Sequence, residues 1–147
     1  MTAVLYILMR NDLNSMNAGK AIAQGSHAAN AFVQHFHGFA QEYNSKSKQS
    51  YLETEIMKGF NDWENSTTQG FGTVLVLEAN MPSIYSVVNS FKALQYITGV
   101  IHDPTYPIVD GDVVHHIPLD TCSYVFVPIK ETDRFAASML KQFPLHR

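Results

Sequence analysis

Ala3-Val4-Leu5-Tyr6-Ile7-Leu8-Met9 is an apolar run without a polar interruption, and it leads into Arg10-Asn11-Asp12-Leu13-Asn14-Ser15-Met16-Asn17-Ala18-Gly19-Lys20-Ala21-Ile22-Ala23-Gln24-Gly25-Ser26-His27-Ala28-Ala29. A run with no polar alternation suits a strand covered on both faces, which places it in the middle of an α/β sheet. The polar turn then feeds a helix, with Asn17 as its N-cap. Lys20, Gln24 and His27 recur at i, i+4 and i+7 and fall on one stripe at about 100° per residue. Ile22, Ala29, Phe32, Val33, Phe36 and Ala40 are expected to face the core from the opposite side. Such a polar stripe usually meets only water. Here it is edged by Ala18, Gly19, Ala21, Ala23, Ala28 and Ala31, small residues that let another surface approach the backbone. Lys20 also lies in the first helical turn, where free N–H groups and the dipole favour an anion.

A chain of 147 residues suits one domain that buries about two-thirds of its unfolded surface. No apolar run reaches membrane-span length and no signal-type segment opens the sequence. Cys122 is the only cysteine, so an internal disulfide is excluded and a reducing, cytoplasmic setting is expected. A net charge of −3 argues against a dedicated non-specific nucleic-acid binder, although Arg10, Lys20, Lys46 and Lys48 gather in the first third.

Further along, Arg10 and Asp12 stand at the carboxyl end of the first strand, the edge where α/β sheets hold ligands. A plain surface ion pair accounts for them equally well. The first helix is expected over 17–42, followed by a polar connection at 44–50 that either only links elements or touches phosphate. Leu52, Ile56, Phe60 and Trp63 mark a second helix over 51–63, and Phe71 to Ala79 a second buried strand. Pro82 suits the first turn of a third helix, with Ile84, Val87, Val88, Phe91 and Leu94 as its core stripe. Thr98 to Asp103 reads as a strand ending in a carboxylate, and Asp103-Pro104-Thr105-Tyr106-Pro107 as a rigid turn. Asp110-Gly111-Asp112 signals a turn, Val113 to Ile117 a short extra strand, and Thr121 to Ile129 the fourth main strand. Strict alternation would put Thr121 and Ser123 on one face of it. Thr132 is expected to cap a last helix bearing Phe135, Met139 and Leu140. The order is β-α-α-β-α-β-β-α, a single α/β domain.

Among the seven histidines, His35 and His37 diverge on a helix, and His115 and His116 alternate across a strand. No zinc-type ligand spacing, phosphate-cradling glycine motif or nucleophile elbow occurs, so neither metal nor cofactor is expected. Cys122 lies inside a strand, where an inert buried thiol is the default. What remains is Lys20, Gln24 and His27 on a helix, Asp103 at a strand end, and Thr121 and Ser123 on another strand. A carboxylate can hold and partly deprotonate a water, and a cation can stabilise an oxyanion. A plain Lys–Asp salt bridge uses the same residue types.

Ile7-Leu8-Met9-Arg10-Asn11-Asp12-Leu13, followed by Gly19-Lys20-Ala21-Ile22-Ala23-Gln24-Gly25-Ser26-His27-Ala28-Ala29, resembles the opening motif of type 2 peptidyl-tRNA hydrolases. Val100-Ile101-His102-Asp103 is similar to the strand that carries the family's aspartate, and Thr121-Cys122-Ser123 to its Thr-x-Thr strand. The resemblance implies a four-stranded mixed β-sheet flanked by helices on both faces, often as a homodimer. It implies cofactor-free cleavage of the ester joining a peptide to the 3′ end of tRNA, with tRNA as partner. Lys20 and Asp103 would then be the catalytic pair. Gln24 and His27 would shape the site, Thr105, Thr121 and Ser123 would support it, and Arg10 and Asp12 would buttress the strand end. This sequence departs from the pattern in three places. The turn between Asp12 and Gly19 is one residue longer, Pro104-Thr105-Tyr106-Pro107 stands where the family has Ala-Gly-x-Thr, and 108–120 is longer than the family's connection. The alternatives are a tRNA- or RNA-binding module of the same fold that does not cleave, and a hydrolase of a different acyl ester.

Overall fold

The computed structural model describes residues 2–147. The elements run β1 (Val4–Arg10), α1 (Ala18–Ser45), α2 (Tyr51–Glu64), β2 (Val74–Ala79), α3 (Met81–Ala93), β3 (Thr98–Asp110), β4 (Val113–Val127) and α4 (Arg134–Leu140). The sheet order is β2-β1-β4-β3. β1 pairs parallel with β2 and antiparallel with β4, so the sheet is mixed, and β1 with β4 forms its buried centre. Successive residues of β1 supply both layers: Leu5, Ile7 and Met9 face α1 and α2, whereas Leu8 faces α3 and α4. This explains the lack of polar alternation in that run.

Phe32 of α1 is the centre of the first layer. Its ring meets Trp63 edge-on at 5.5 Å and stacks with Phe126 at 4.9 Å. The aromatic spacing that marks α2 is therefore a packing feature. Ser50 and Glu53 close a reciprocal capping box at its start, and Gly59 lets the helix lie directly on Pro128. In the second layer Ile84, Val87, Val88 and Phe91 are buried as expected, but Leu94 caps the helix and is half exposed.

Five expectations change. α1 runs to Ser45, three residues beyond 42, and the second strand starts at Val74. The segment 103–107 is part of β3, because an edge strand tolerates prolines whose missing donors face no partner. Residues 113–117 are the first part of β4, joined to β3 by a two-residue turn in which Gly111 has φ +61°. Asp133, not Thr132, caps α4 by accepting from the Ala136 N–H.

The outer edge of β2 is also covered. Glu78 N–H donates to the Pro144 carbonyl, and His146 N–H donates to the Val76 carbonyl. Among the described residues, no helix is long and apolar enough to cross a membrane.

Candidate active site

The phase of α1 differs from the expected one. Its buried line is Ala21, Gln24, Ala28, Phe32 and Phe36, while Ile22 is 71% exposed. Gln24 thus enters the protein at the end of the sheet, in the place of a core residue. A buried amide needs partners for its donors and its acceptor. Its Nε2 donates to Asp103 Oδ2 at 2.7 Å, and its Oε1 accepts from Thr121 Oγ1 at 2.7 Å. The Thr105 backbone N–H and Oγ1 donate to the other carboxylate oxygen, Oδ1, at 2.9 and 3.3 Å.

Asp103 is 9% exposed. Burial pushes its carboxyl up, but the hydrogen bonds from Gln24 and Thr105, with the charge of His27, outweigh this and hold it below the usual carboxylate range. It is therefore an anion at neutral pH. It borders an open cleft of about 410 Å³ whose walls include His27 and Asn30 of α1 and Pro104 and Thr105 of β3.

Two register shifts build this arrangement. On β4, Cys122 pairs with Ile101 but Asp120 with His102, which makes Thr121 an extra residue. The bulge turns the Thr121 hydroxyl toward α1. The second shift, between Asp103 and Tyr106, lets Thr105 fold its N–H back onto Asp103. Ser123 is not brought to the site. It lies between Leu8 and Val100, on the layer of α3, with its Oγ buried and without a partner. The expected shared face of Thr121 and Ser123 fails because alternation assumes a ladder without bulges.

Lys20 is one turn before Gln24. Its Nζ donates to the Ser15 carbonyl at 3.1 Å and stands 5.2 Å from the centroid of the Tyr106 ring. Among the described residues it makes no ion pair with a carboxylate, so the plain Lys20–Asp103 salt bridge is absent. Its backbone N–H donates to the N-cap Asn17 Oδ1 at 2.9 Å.

Arg10 and Asp12 tie three elements together. Arg10 Nε donates to Asp12 Oδ1 at 2.8 Å, and its Nη1 donates to the Asp120 carbonyl at 2.9 Å. Asp12 Oδ2 accepts from the Met81 N–H at the start of α3. Partial burial raises the Asp12 carboxyl, but Arg10 and that N–H more than offset it. The Asp120 carboxylate accepts from Tyr85 Oη and pairs with His102 Nδ1, and both contacts lower its pKa. Ser15, Tyr85, Tyr106 and Asp120 are residues that sequence reasoning missed. Only Tyr106 carried a cue, its place three residues after Asp103. No three of His, Cys, Asp or Glu among the described residues gather as metal ligands.

Fold and site define a small mixed α/β domain with an anion, a cation and an amide relay at the end of its sheet. The model of the family described as peptidyl-tRNA hydrolase PTH2 matches residues 3–110, well over half of the chain, and the chain belongs to that family of hydrolases acting on peptidyl-tRNA. The match stops at the end of β3, so Thr121 and Ser123 lie outside it. No curated protein matches the chain.

Proposed function

We propose that the protein hydrolyses the ester between a peptide, or an N-blocked amino acid, and the 3′ end of tRNA, without metal or cofactor, through Lys20 and Asp103. The observation that carries this reading is the Asp103 carboxyl at an open cleft, fixed by Gln24 and Thr105, with the Lys20 ammonium, which pairs with no carboxylate among the described residues, one helical turn from Gln24. A carboxylate held below its ordinary pKa is a weak base but a firm acceptor. It orients a water for attack on the acyl carbon. Lys20 stabilises the oxyanion that develops there. The C–O bond to water forms, the bond to the 3′ oxygen breaks, and the water's proton ends on that oxygen. Gln24, itself held by Thr121, and Thr105 fix Asp103; Thr105 and His27 line the substrate side, and Arg10 with Asp12 keep the strand end rigid. We place the reaction in the cytoplasm, where the lone Cys122 stays reduced.

The test is release of labelled N-acetyl-amino acid from its tRNA with EDTA present. Wild type turns over, while Lys20→Ala and Asp103→Ala lose at least 10²-fold, about the effect of one oxyanion donor, with unchanged circular dichroism. Retained turnover in Asp103→Ala refutes the assignment. The rest position of Lys20, on Ser15 and Tyr106 rather than facing Asp103, favours a second reading: a module that binds tRNA and does not cleave it. Salt-dependent binding without release would establish that reading.

A further inference from the structure

We propose that Tyr106 is a positioning residue for Lys20, an assignment that rests on the ester-cleaving reading above. Three contacts close a small ring of groups. The Lys20 ammonium stands over the Tyr106 ring at 5.2 Å, the Ser15 carbonyl accepts from Nζ at 3.1 Å, and Ser15 Oγ lies 3.1 Å from Tyr106 Oη. The Tyr106 hydroxyl also reaches Met16 Sδ at 3.9 Å, so one side chain ties down two successive residues of the turn that precedes α1. That side chain is wholly buried and cannot swing away.

A lysine stem has four rotatable bonds, and an ammonium set free in a cleft samples many positions. The negative face of an aromatic ring restricts it without neutralising it. A carboxylate in the same place would bind the cation and cancel the charge that an oxyanion needs. A ring and a neutral carbonyl leave that charge intact and leave two of the three N–H donors unused. The ring comes from β3, three residues after Asp103, so one strand fixes both the anion and the cation.

The test uses Tyr106→Leu, which keeps apolar bulk, and Tyr106→Phe, which keeps the ring and loses the hydroxyl. Proton NMR reads the Lys20 ε-methylene, which a ring face shifts upfield. Steady-state hydrolysis of N-acetyl-aminoacyl-tRNA reads kcat and KM. The upfield shift is expected in wild type and Tyr106→Phe and lost in Tyr106→Leu. Tyr106→Leu lowers kcat roughly twofold to thirtyfold, the range of a cation–π contact, at unchanged KM. In a Lys20→Ala background the same change lowers kcat no further. An upfield shift that survives Tyr106→Leu, a change in KM alone, or an equal drop in the Lys20→Ala background overturns the proposal. If Tyr106→Leu does not fold, Tyr106→Phe decides, since loss of the shift with the ring still present also overturns it. Wild-type turnover in Lys20→Ala would instead remove Lys20 from the reaction, and this is separable because the NMR shift reports the placement of the ammonium without any catalysis.

Discussion

Gln24→Ala removes a side chain that holds Asp103 with one end and Thr121 with the other. The bond from Nε2 to the ionised carboxylate is worth about 1.5–3 kcal/mol, and a buried hydroxyl deprived of its acceptor costs about 1–3 kcal/mol. Thr121 is fully enclosed and keeps only a weak 3.8 Å approach to Cys122 Sγ. Asp103 retains two donors from Thr105 and borders the cleft, so water replaces part of what Gln24 supplied. The expected loss is about 2–4 kcal/mol. Urea unfolding followed by fluorescence of Trp63, the single tryptophan, measures it. Thr121→Val alone should cost about 1 kcal/mol. The double variant should cost less than the sum, because both changes delete the same bond. Carbon NMR of Asp103 should show its titration moving up in Gln24→Ala, since the largest lowering contribution is gone. A loss below about 0.5 kcal/mol together with an unmoved titration would refute the relay.

Gly59→Ala would bring a Cβ to 2.6 Å from Pro128 Cβ and 2.9 Å from its Cα, so α2 must lift from the β4 end. Thermal unfolding should show a loss of about 1–3 kcal/mol, the usual cost of overpacking. Burial pushes the Cys122 thiol up to about 12, so a disulfide reagent at pH 8 should fail to label the native protein and should label it at once in urea. Asp12, Asp103 and Asp120 all have pKa values held below the ordinary range. Each contributes stability that is complete above an unfolded pKa of about 4 and lost as pH falls through the lower folded value. The melting temperature should therefore drop below pH 4, and Asp103→Asn should drop less steeply than wild type.

Element order was legible because β1 is apolar on both faces and the helical stripes of α2 and α3 are clean. The opening motif drew attention to Lys20 and Gln24, and the stretch Val100-Ile101-His102-Asp103 to Asp103. The phase of α1 was not legible. Ile22 counts as apolar wherever it lies, and only the sheet decides that Gln24 takes the inward position. The shared face of Thr121 and Ser123 was misread for a different reason: one bulged residue reverses every face assignment beyond it, and residue type does not announce a bulge. Pro104 and Pro107 read as a turn because local chemistry cannot tell an edge strand from a loop. Tyr106 was missed because its partners Ser15 and Lys20 are about ninety residues away along the chain.

The short backbone pairing of Pro144 and His146 with β2 has a consequence for handling the protein. Stripped of that cover, the strand Val74-Leu75-Val76-Leu77 would offer a bare row of amides and carbonyls flanked by branched aliphatics, a ready template for other molecules. Loss of residues 144–147 would leave the cleft chemistry in place and open that edge to strand-by-strand addition of another molecule. On the far side the prolines of β3 give the same protection through the covalent structure of the ring, and no exopeptidase can remove it.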